Sequence, residues 1–441
     1  MKHALVFLVL AIVSPCAAAA APTMRVDYEH SGIARDERFA LDRVVIEPLP
    51  WPGNPSRPVD DTNLGKYYFE VIDIETGRIT YSRGFSSIYG EWETTAEAMS
   101  TRRSFSESLR FPAVERAARV VVKKRDERNR FRDVWTFTID PRDPDIGQPA
   151  ANGEAGPVIA IHEAGDPASK LDILFIGDGY TAAERDKFER DARRLADVLF
   201  ATSPFRERRA DINVWGLAPP SAESGISAPS RGVERRSALG TAYDALGLER
   251  YVLTLANRAF RDLAARAPYD AVQIVANGDA YGGGGIFGLY GIVAVDSAAA
   301  PYLFVHEFGH HLAGLADEYD EAEVSYLPPA ERIEPWEPNV TVLLDPAALK
   351  WREHVTPGTP IPTPWSKPAS APSGGSAGGA AAHGASSPYA GRVGAFEGAN
   401  YQARGYFRPE LDCVMYSGVT SGFCVVCLHS VSRIIDLYSR P

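Results

Sequence analysis

The segment His306-Glu307-Phe308-Gly309-His310 has the pattern H-E-x-x-H. On an α-helix, residues four apart lie on one face, so both imidazoles can reach a single metal ion. Zinc held by two histidines and a third protein ligand keeps one position open and lowers the pKa of a water molecule there to about 7. Glu307 lies next to the first histidine, where it can take a proton from this metal-activated water. The pattern predicts metal-assisted hydrolysis with Glu307 as the general base.

The third ligand is predicted to follow the helix. A straight helix would carry Asp317 about 16 Å along its axis from His306, too far to share one ion. Gly314 can adopt a positive φ and turn the chain back, which favours Asp317 as the third ligand. In the common pattern a glycine stands three residues after the second histidine, whereas Gly314 stands four residues after His310. Because this segment is one residue longer, Glu318 stays an alternative third ligand.

Three other interpretations concern the neighbourhood of the motif. With nine histidines in 441 residues, fewer than about 0.02 chance matches are expected, so two histidines on a solvated helix is the weaker interpretation. His311 is interpreted as a residue that supports the site from behind or lies on the surface. The acidic residues after Gly314 match no EF-hand spacing, which makes calcium binding the weaker alternative for them. These residues are Asp317, Glu318, Asp320, Glu321 and Glu323.

A second motif stands far downstream, in Cys413-Val414-Met415-Tyr416. A methionine in a tight turn beneath the zinc is typical of metzincins, and Met415 is assigned to such a turn. Tyr416 is a candidate transition-state hydrogen-bond donor. Arg408 is predicted to fix the turn, with contact to a substrate carbonyl as the alternative.

The elements that must position these residues alternate between strand and helix. Apolar runs at residues 171–176, 212–217 and 271–276 predict buried strands. Thr181 and Glu184 form a capping-box pattern, and apolar residues at helical spacing predict a helix over residues 181–200. The glycines at 282–285 are predicted to form a mobile loop, and residues 286–295 the strand that follows it.

The first part of the chain is rich in strands. Alternating residues at 66–74 and β-branched or aromatic runs at 120–123 and 134–139 predict a mostly β, sandwich-like domain over residues 23–143. A polar stretch at 144–157 is interpreted as a linker, and residues 158–441 as the catalytic domain. Within the latter, the Ser/Gly/Ala/Pro-rich residues 366–391 are predicted to form a flexible surface insertion.

The first residues of the chain have the pattern of a targeting segment. Lys2 and His3 precede an apolar run at residues 4–13 and alanines at 17–21, which is typical of a secretory signal peptide. Residues 1–21 are therefore predicted to be removed and the protein to be secreted or periplasmic. Cys413, Cys424 and Cys427 remain after cleavage. Export favours a disulfide from Cys413 to one of the other two, although Cys424-x-x-Cys427 also has the spacing of a zinc ribbon.

Composition excludes several classes of function. A formal net charge of −11 and the lack of a basic cluster in the sequence argue against nucleic-acid binding. Beyond the leader, no apolar stretch reaches the length of a transmembrane helix, so stable membrane insertion is not expected. The sequence does not define the oligomeric state.

Several blocks of this chain resemble the IgA-peptidase-like zinc metallopeptidases, metallopeptidase family 64, and that family's own N-terminal domain. The resemblance implies an endopeptidase with one catalytic zinc ion on His306 and His310, Glu307 as base and a protein or peptide as substrate. It does not imply that immunoglobulin is cleaved. The residues that carry it are Phe175 to Tyr180, Tyr281 with Gly282 to Gly285, His306 to Tyr319, Phe396 to Ala399, Tyr406 to Pro409, Cys413 to Met415 and Phe423 to Cys427, with Gly65 to Tyr67, Tyr81 to Phe85, Glu91 to Thr95 and Glu107 to Pro112 in the first half.

The sequence thus predicts a metzincin-like α/β catalytic domain with an HExxH helix behind a mostly β N-terminal domain. The expected function is hydrolysis of peptide bonds in extracellular or periplasmic proteins. An extended substrate is expected to pair with an edge strand of the catalytic sheet, assigned to residues 286–295. The alternative is a non-catalytic exported binding module whose metal site is structural, which would require a fourth protein ligand.

Overall fold

The computed structural model describes residues 21–149, 155–320, 324–327, 332–366, 387–418 and 422–440. All but the last residue of the predicted signal peptide lies outside these ranges, as do residues 150–154 of the predicted linker and 367–386 of the predicted insertion. The domain boundaries given above stay predictions. Within the described ranges, no helix is both long and apolar enough to cross a bilayer.

The N-terminal region is mostly β, as predicted. It contains a three-stranded sheet of order β2-β1-β5 and a four-stranded sheet of order β4-β3-β6-β7, both antiparallel. Val26 of the first sheet and Phe69 and Val120 of the second belong to one apolar core, so the two sheets pack face to face. The strands are β1 Pro22–Ile33, β2 Asp36–Pro50, β3 Tyr67–Asp73, β4 Ile79–Phe85, β5 Arg103–Pro112, β6 Ala118–Arg125 and β7 Phe131–Ile139, with the short helix α1 Ile88–Trp92 between β4 and β5.

A six-stranded mixed sheet of order β12-β13-β11-β9-β10-β8 forms the second half. Its four inner strands are parallel, and the two edge strands, β8 and β12, run antiparallel to their neighbours. The inner strands are buried on both faces, which explains their continuous apolar runs. The strands are β8 Ile159–His162, β9 Leu171–Asp178, β10 Ile212–Leu217, β11 Ala271–Ala276, β12 Gly283–Ile286 and β13 Tyr290–Ala294.

Helices cover both faces of this sheet. Alternate residues of β9 separate the two sides: Ile173 and Phe175 pack into the core shared with α2, α4 and α5, whereas Leu174 and Ile176 pack into the core that includes α3. A smaller antiparallel pair, β14 and β15, precedes α5. These elements are α2 Arg185–Ala201, α3 Asn257–Ala264, α4 Ala300–Ala313, β14 Phe396–Ala399, β15 Gln402–Arg408 and α5 Val425–Ser439.

Several local predictions are confirmed. Strands β10 and β11 have the predicted bounds, and β9 extends two residues beyond its predicted end. Thr181 and Glu184 form the predicted capping box, with the Glu184 carboxylate accepting from the Thr181 N–H at 2.9 Å. One 3₁₀ turn follows before α2 begins at Arg185, so the helical region covers the predicted range.

The prediction of a mobile loop for the glycine run is wrong. Gly283–Ile286 is β12, an edge strand that lies directly against α4. A Cβ atom on Gly285 would fall 2.3 Å from the carbonyl oxygen of Glu307, and one on Gly283 would fall 3.0 Å from the Glu307 Cγ. The glycines therefore permit close approach of a strand to a helix.

The prediction that residues 286–295 form the edge strand is also wrong. These residues contain a turn and then β13, an inner strand between β12 and β11. The free edge belongs to β12, and part of it is already covered. Gly283 donates to the Arg250 carbonyl at 3.2 Å and accepts from the Val252 N–H at 2.9 Å.

A buried ionic network joins the N-terminal region to the second half of the chain. The Arg25 guanidinium in β1 pairs with Asp27 at 2.9 Å and Glu47 at 3.2 Å, and it also contacts Asp262 of α3. Arg43 reaches the same Asp262 oxygen at 2.9 Å. Because Arg25 is fully buried, its charge depends on these carboxylates for compensation.

Asp262→Asn should lower the free energy of unfolding by about 2–3 kcal/mol, because it removes one carboxylate from a buried guanidinium that keeps its other partners. Chemical denaturation followed by fluorescence would measure the change. Asp140→Asn, which breaks an exposed pair with Arg142, is the control and should leave stability unchanged. Equal stability of the two variants would show that the network contributes nothing to the contact between the halves.

Candidate metal centre

Helix α4 brings the two histidines of the H-E-x-x-H motif together. The Nε2 atoms of His306 and His310 lie 3.1 Å apart. Each Nδ1 faces a backbone carbonyl, that of Val414 at 3.0 Å for His306 and that of Leu315 at 2.5 Å for His310. A proton on Nδ1 satisfies each carbonyl, which leaves the Nε2 lone pairs pointing at one another.

Asp317 completes the cluster. Helix α4 ends at Ala313, and Gly314 takes the predicted left-handed conformation with φ 58°. The turn carries the Asp317 Oδ1 to 2.9 Å from the His306 Nε2 and 3.4 Å from the His310 Nε2. Oδ1 is buried and forms no hydrogen bond, whereas Oδ2 accepts one from the Tyr401 hydroxyl.

This arrangement requires a positive charge at its centre. Burial alone would raise the pKa of Asp317, but the imidazoles of His310 and His306 hold it well below its usual range. Burial alone would likewise lower the pKa of His310, but the Asp317 carboxylate raises it to about 9. A proton can supply the charge to one nitrogen at a time, whereas a divalent ion would satisfy both nitrogens and the unpaired oxygen together. The donor set therefore fits a metal ion.

The structure places Asp317 and Glu318 on opposite sides of the chain. The Asp317 carboxylate joins the imidazoles, while the Glu318 carboxylate lies 3.2 Å from the Cys427 Sγ in a separate cluster. The acidic residues proposed for calcium thus do not converge, since Asp317 and Glu318 belong to different groups. Glu321 and Glu323 lie outside the described residues.

Glu307 extends from α4 into the cleft beside the histidines and is only partly buried. It is not part of the cluster formed by His306, His310 and Asp317. Burial raises the pKa of its carboxyl, and the neighbouring imidazoles of His306 and His310 limit that rise. This placement is the one that a proton acceptor beside a metal would need.

His311 is buried, so the surface interpretation is wrong. Its Nε2 accepts from the Val272 N–H at 3.1 Å and its Nδ1 donates to the Ile286 carbonyl at 3.1 Å. Burial lowers the pKa of His311 to about 4, which keeps the ring neutral. His311 thus links α4 to β11 and to the end of β12, and these two hydrogen bonds hold α4 on the sheet.

The turn that contains Met415 lies under α4. The Met415 Sδ is 3.0 Å from the position a Cβ atom on Gly309 would take, and Met415 is fully buried. Its carbonyl accepts from the Glu318 N–H at 2.8 Å. The turn thus supports the site twice, through this bond and through the Val414 carbonyl that orients His306.

Arg408 and Tyr416 contact one another. The Arg408 guanidinium is fully buried, donates to the Gly398 carbonyl and lies 4.2 Å from the centre of the Tyr416 ring. These contacts agree with the structural role predicted for Arg408. Two other tyrosines reach the histidine cluster: the Tyr401 hydroxyl donates to Asp317, and the Tyr302 hydroxyl lies 3.4 Å from the His306 Nδ1. Sequence reasoning missed both because neither belongs to a recognised motif.

A cleft of about 490 Å³ opens beside the cluster. Both halves of the chain line it. Arg250 lies outside every motif of the sequence, but its charge lies close enough to Glu307 to oppose the rise in the pKa of that carboxyl. Lining residues include Lys66, Glu91 and Thr94 of the N-terminal region and Arg250, Tyr281 and Tyr401 of the second half.

The predicted disulfide is absent. Cys413, Cys424 and Cys427 are all free thiols and all buried. Together with Glu318 they form a second compact group of ligand-type side chains, separate from the histidine cluster.

Comparison with known proteins agrees with this architecture. The family described as IgA Peptidase M64 matches residues 159–372 and 380–435, and the one described as Peptidase M64 N-terminus matches residues 17–136. The match and the helix-borne cluster define the class as the metallopeptidases. Within that class, the chain belongs to the IgA peptidase M64 family. A search of curated proteins found no match.

The neighbouring residues His310 and His311 provide a direct test of the site. His310→Leu should lower bound divalent metal by one ion per chain, because it removes an inward lone pair. His311→Leu should keep the full metal content but lower the free energy of unfolding by about 2–4 kcal/mol, since a buried N–H and a buried carbonyl lose their partner. Elemental analysis and chemical denaturation measure the two effects. Loss of metal in His311→Leu but not in His310→Leu would refute the assignment of His310 as a metal ligand.

Proposed function

We propose that the protein is an exported zinc-dependent endopeptidase with a metzincin-like catalytic domain. The observation that supports this most strongly is the convergence of His306 Nε2, His310 Nε2 and Asp317 Oδ1 beside Glu307. Membership of a peptidase family supports a protein or peptide as the substrate.

In this proposal His306, His310 and Asp317 hold the zinc ion. Zinc, when bound, acts as a Lewis acid toward the scissile carbonyl and makes water a stronger acid. The cluster offers three protein groups among the described residues, and no fourth His, Cys, Asp or Glu atom joins it. A structural site is normally closed by four protein ligands, so this set favours catalysis over the binding-module alternative.

Glu307 is proposed as the general base. It takes the proton of the attacking water and returns it to the nitrogen of the leaving amine, so that the C–N bond breaks without release of a free amide anion. Burial raises the pKa of its carboxyl, which makes the carboxylate a stronger base toward the proton of that water.

The substrate is proposed to lie between the two halves of the chain, along β12. Alternate residues of a strand present their backbone groups to the same edge. Gly283 uses this edge for Arg250 and Val252, and Gly285, two residues on, lies in the cleft wall. The outward N–H and C=O of Gly285 are therefore the proposed pairing partners of an extended peptide. Glu91 and Lys66 on the opposite wall would contact its side chains.

Glu307→Gln tests the central step. The amide keeps the shape and should keep the metal, but it cannot accept a proton, so casein hydrolysis should fall by at least about 100-fold. Glu189→Gln, on the exposed face of α2, is the matched control and should retain wild-type activity. A Glu307→Gln protein that holds its zinc and remains fully active would exclude Glu307 as the base.

Export is proposed from the residues of the leader alone. N-terminal sequencing of the protein recovered from periplasm or medium should give a mature chain that begins immediately after the alanines at 17–21. Recovery of the uncleaved chain solely from the cytoplasm would contradict this proposal.

A further inference from the structure

The second ligand cluster joins three separate segments. Glu318 lies in the irregular segment after α4, and Cys413 precedes the Met415 turn. Cys424 is the N-cap residue of α5, and Cys427 lies in the first turn of that helix. All four side chains are buried, with at most 4% of their surface exposed. Four ligand-type side chains from three segments therefore meet inside the protein, where the cysteines also belong to the main apolar core.

The two sulfur–oxygen distances at Glu318 are close to the value expected for tetrahedral coordination. Two sulfurs bound at about 2.3 Å to one zinc ion lie roughly 3.8 Å apart, and a sulfur and a carboxylate oxygen about 3.5 Å apart. The Glu318 Oε1 lies 3.2 Å from the Cys427 Sγ and 3.8 Å from the Cys424 Sγ. All the ligand atoms lie within 4.8 Å of one another.

The Glu318 carboxylate lacks full compensation from protein groups. Its Oε1 accepts from the Asn339 side chain at 2.9 Å, but Oε2 is buried without a hydrogen-bond partner. A buried carboxylate that is incompletely paired is costly unless it is protonated or lies beside a cation. The Arg408 guanidinium is close enough to act on Glu318 electrostatically, but it forms no ion pair with it among the described contacts.

We propose that Cys413, Cys424, Cys427 and Glu318 bind a second zinc ion whose role is structural. Three thiolates favour zinc over the harder divalent cations, and the carboxylate closes the coordination sphere with a fourth protein ligand. A disulfide between any two of these cysteines would leave the third thiol beside a carboxylate that still lacks a cation. The cluster therefore fits a metal better than the disulfide.

The second ion would stabilise the first site through the backbone. Glu318 directly follows Asp317, and its N–H donates to the Met415 carbonyl at 2.8 Å. Cys413 directly precedes Val414, whose carbonyl orients the His306 ring at 3.0 Å. Two of the proposed ligands are thus sequence neighbours of residues that hold the histidine cluster together.

Metal counting on the full-length chain tests this proposal without any assay of activity. The wild type should hold two zinc ions per chain, and the double variant His306→Ala/His310→Ala should hold one. In that double variant, X-ray absorption at the zinc edge should show sulfur neighbours at about 2.3 Å in a three-to-one ratio with a lighter ligand. Failure of the proposed peptidase function would leave this sulfur-bound ion in place, so the two proposals fail separately.

A matched pair of acidic variants locates the ligand. Glu318→Gln should weaken retention of the sulfur-bound zinc by at least about 10-fold, the size of effect expected for ligands and their close supports. Glu410→Gln, which changes the carboxylate that accepts from the Val425 N–H at 2.8 Å, should retain it fully. If Glu318→Gln does not fold, the absorption spectrum of the double variant decides alone.

Two results would overturn the proposal. One is a double variant without zinc whose three thiols all react freely with a thiol reagent after denaturation. The other is a wild-type chain whose intact mass shows the loss of two hydrogens to a disulfide among Cys413, Cys424 and Cys427.

Discussion

Three lone-pair-bearing atoms face one another at the end of α4, and the surrounding structure depends on the positive charge that they require. The His306 and His310 Nε2 atoms and the Asp317 Oδ1 all lie within 3.4 Å of one another. Without a cation this arrangement is repulsive and leaves a buried oxygen unpaired. With one, the same three atoms would supply three protein ligands, one fewer than the four that normally close a structural metal site.

The scaffold fixes these atoms by backbone contacts more than by side-chain packing. Carbonyl groups at Val414 and Leu315 orient the two rings, and Gly314 reverses the chain so that Asp317 returns to them. Glycines in β12 let the edge strand approach α4 closely, and His311 ties the same helix to β11 and to the end of β12. Strand β12 in the cleft wall and helix α4, which carries the two histidines, are therefore held together by these contacts. Because Glu307 lies on α4, a substrate bound along β12 would be held at a defined position relative to Glu307.

The parts of the site that sequence could predict are those that local geometry determines. Helical periodicity places His306 and His310 on one face, and a left-handed glycine at 314 follows from the need to turn the chain back. Errors arose where distant segments meet. The glycine run at 282–285 has the composition of a loop, and nothing local in the sequence indicates its contact with α4. The spacing of the cysteines likewise does not indicate that they approach Glu318. Tyr401 and Arg250 reach the site through the tertiary fold alone, so spacing gave no indication of either. The choice between Asp317 and Glu318 could not be made from spacing, because it depends on which carboxylate faces the histidines and which faces Cys427.

Crystals of the purified chain, measured on both sides of the zinc absorption edge, would test the central claim most directly. An anomalous difference map should show an ion within bonding distance of the His306 Nε2, the His310 Nε2 and the Asp317 carboxylate, with no fourth protein ligand. An anomalous map without a peak at this position would contradict the metal assignment, and a peak closed by a fourth protein side chain would contradict a catalytic role.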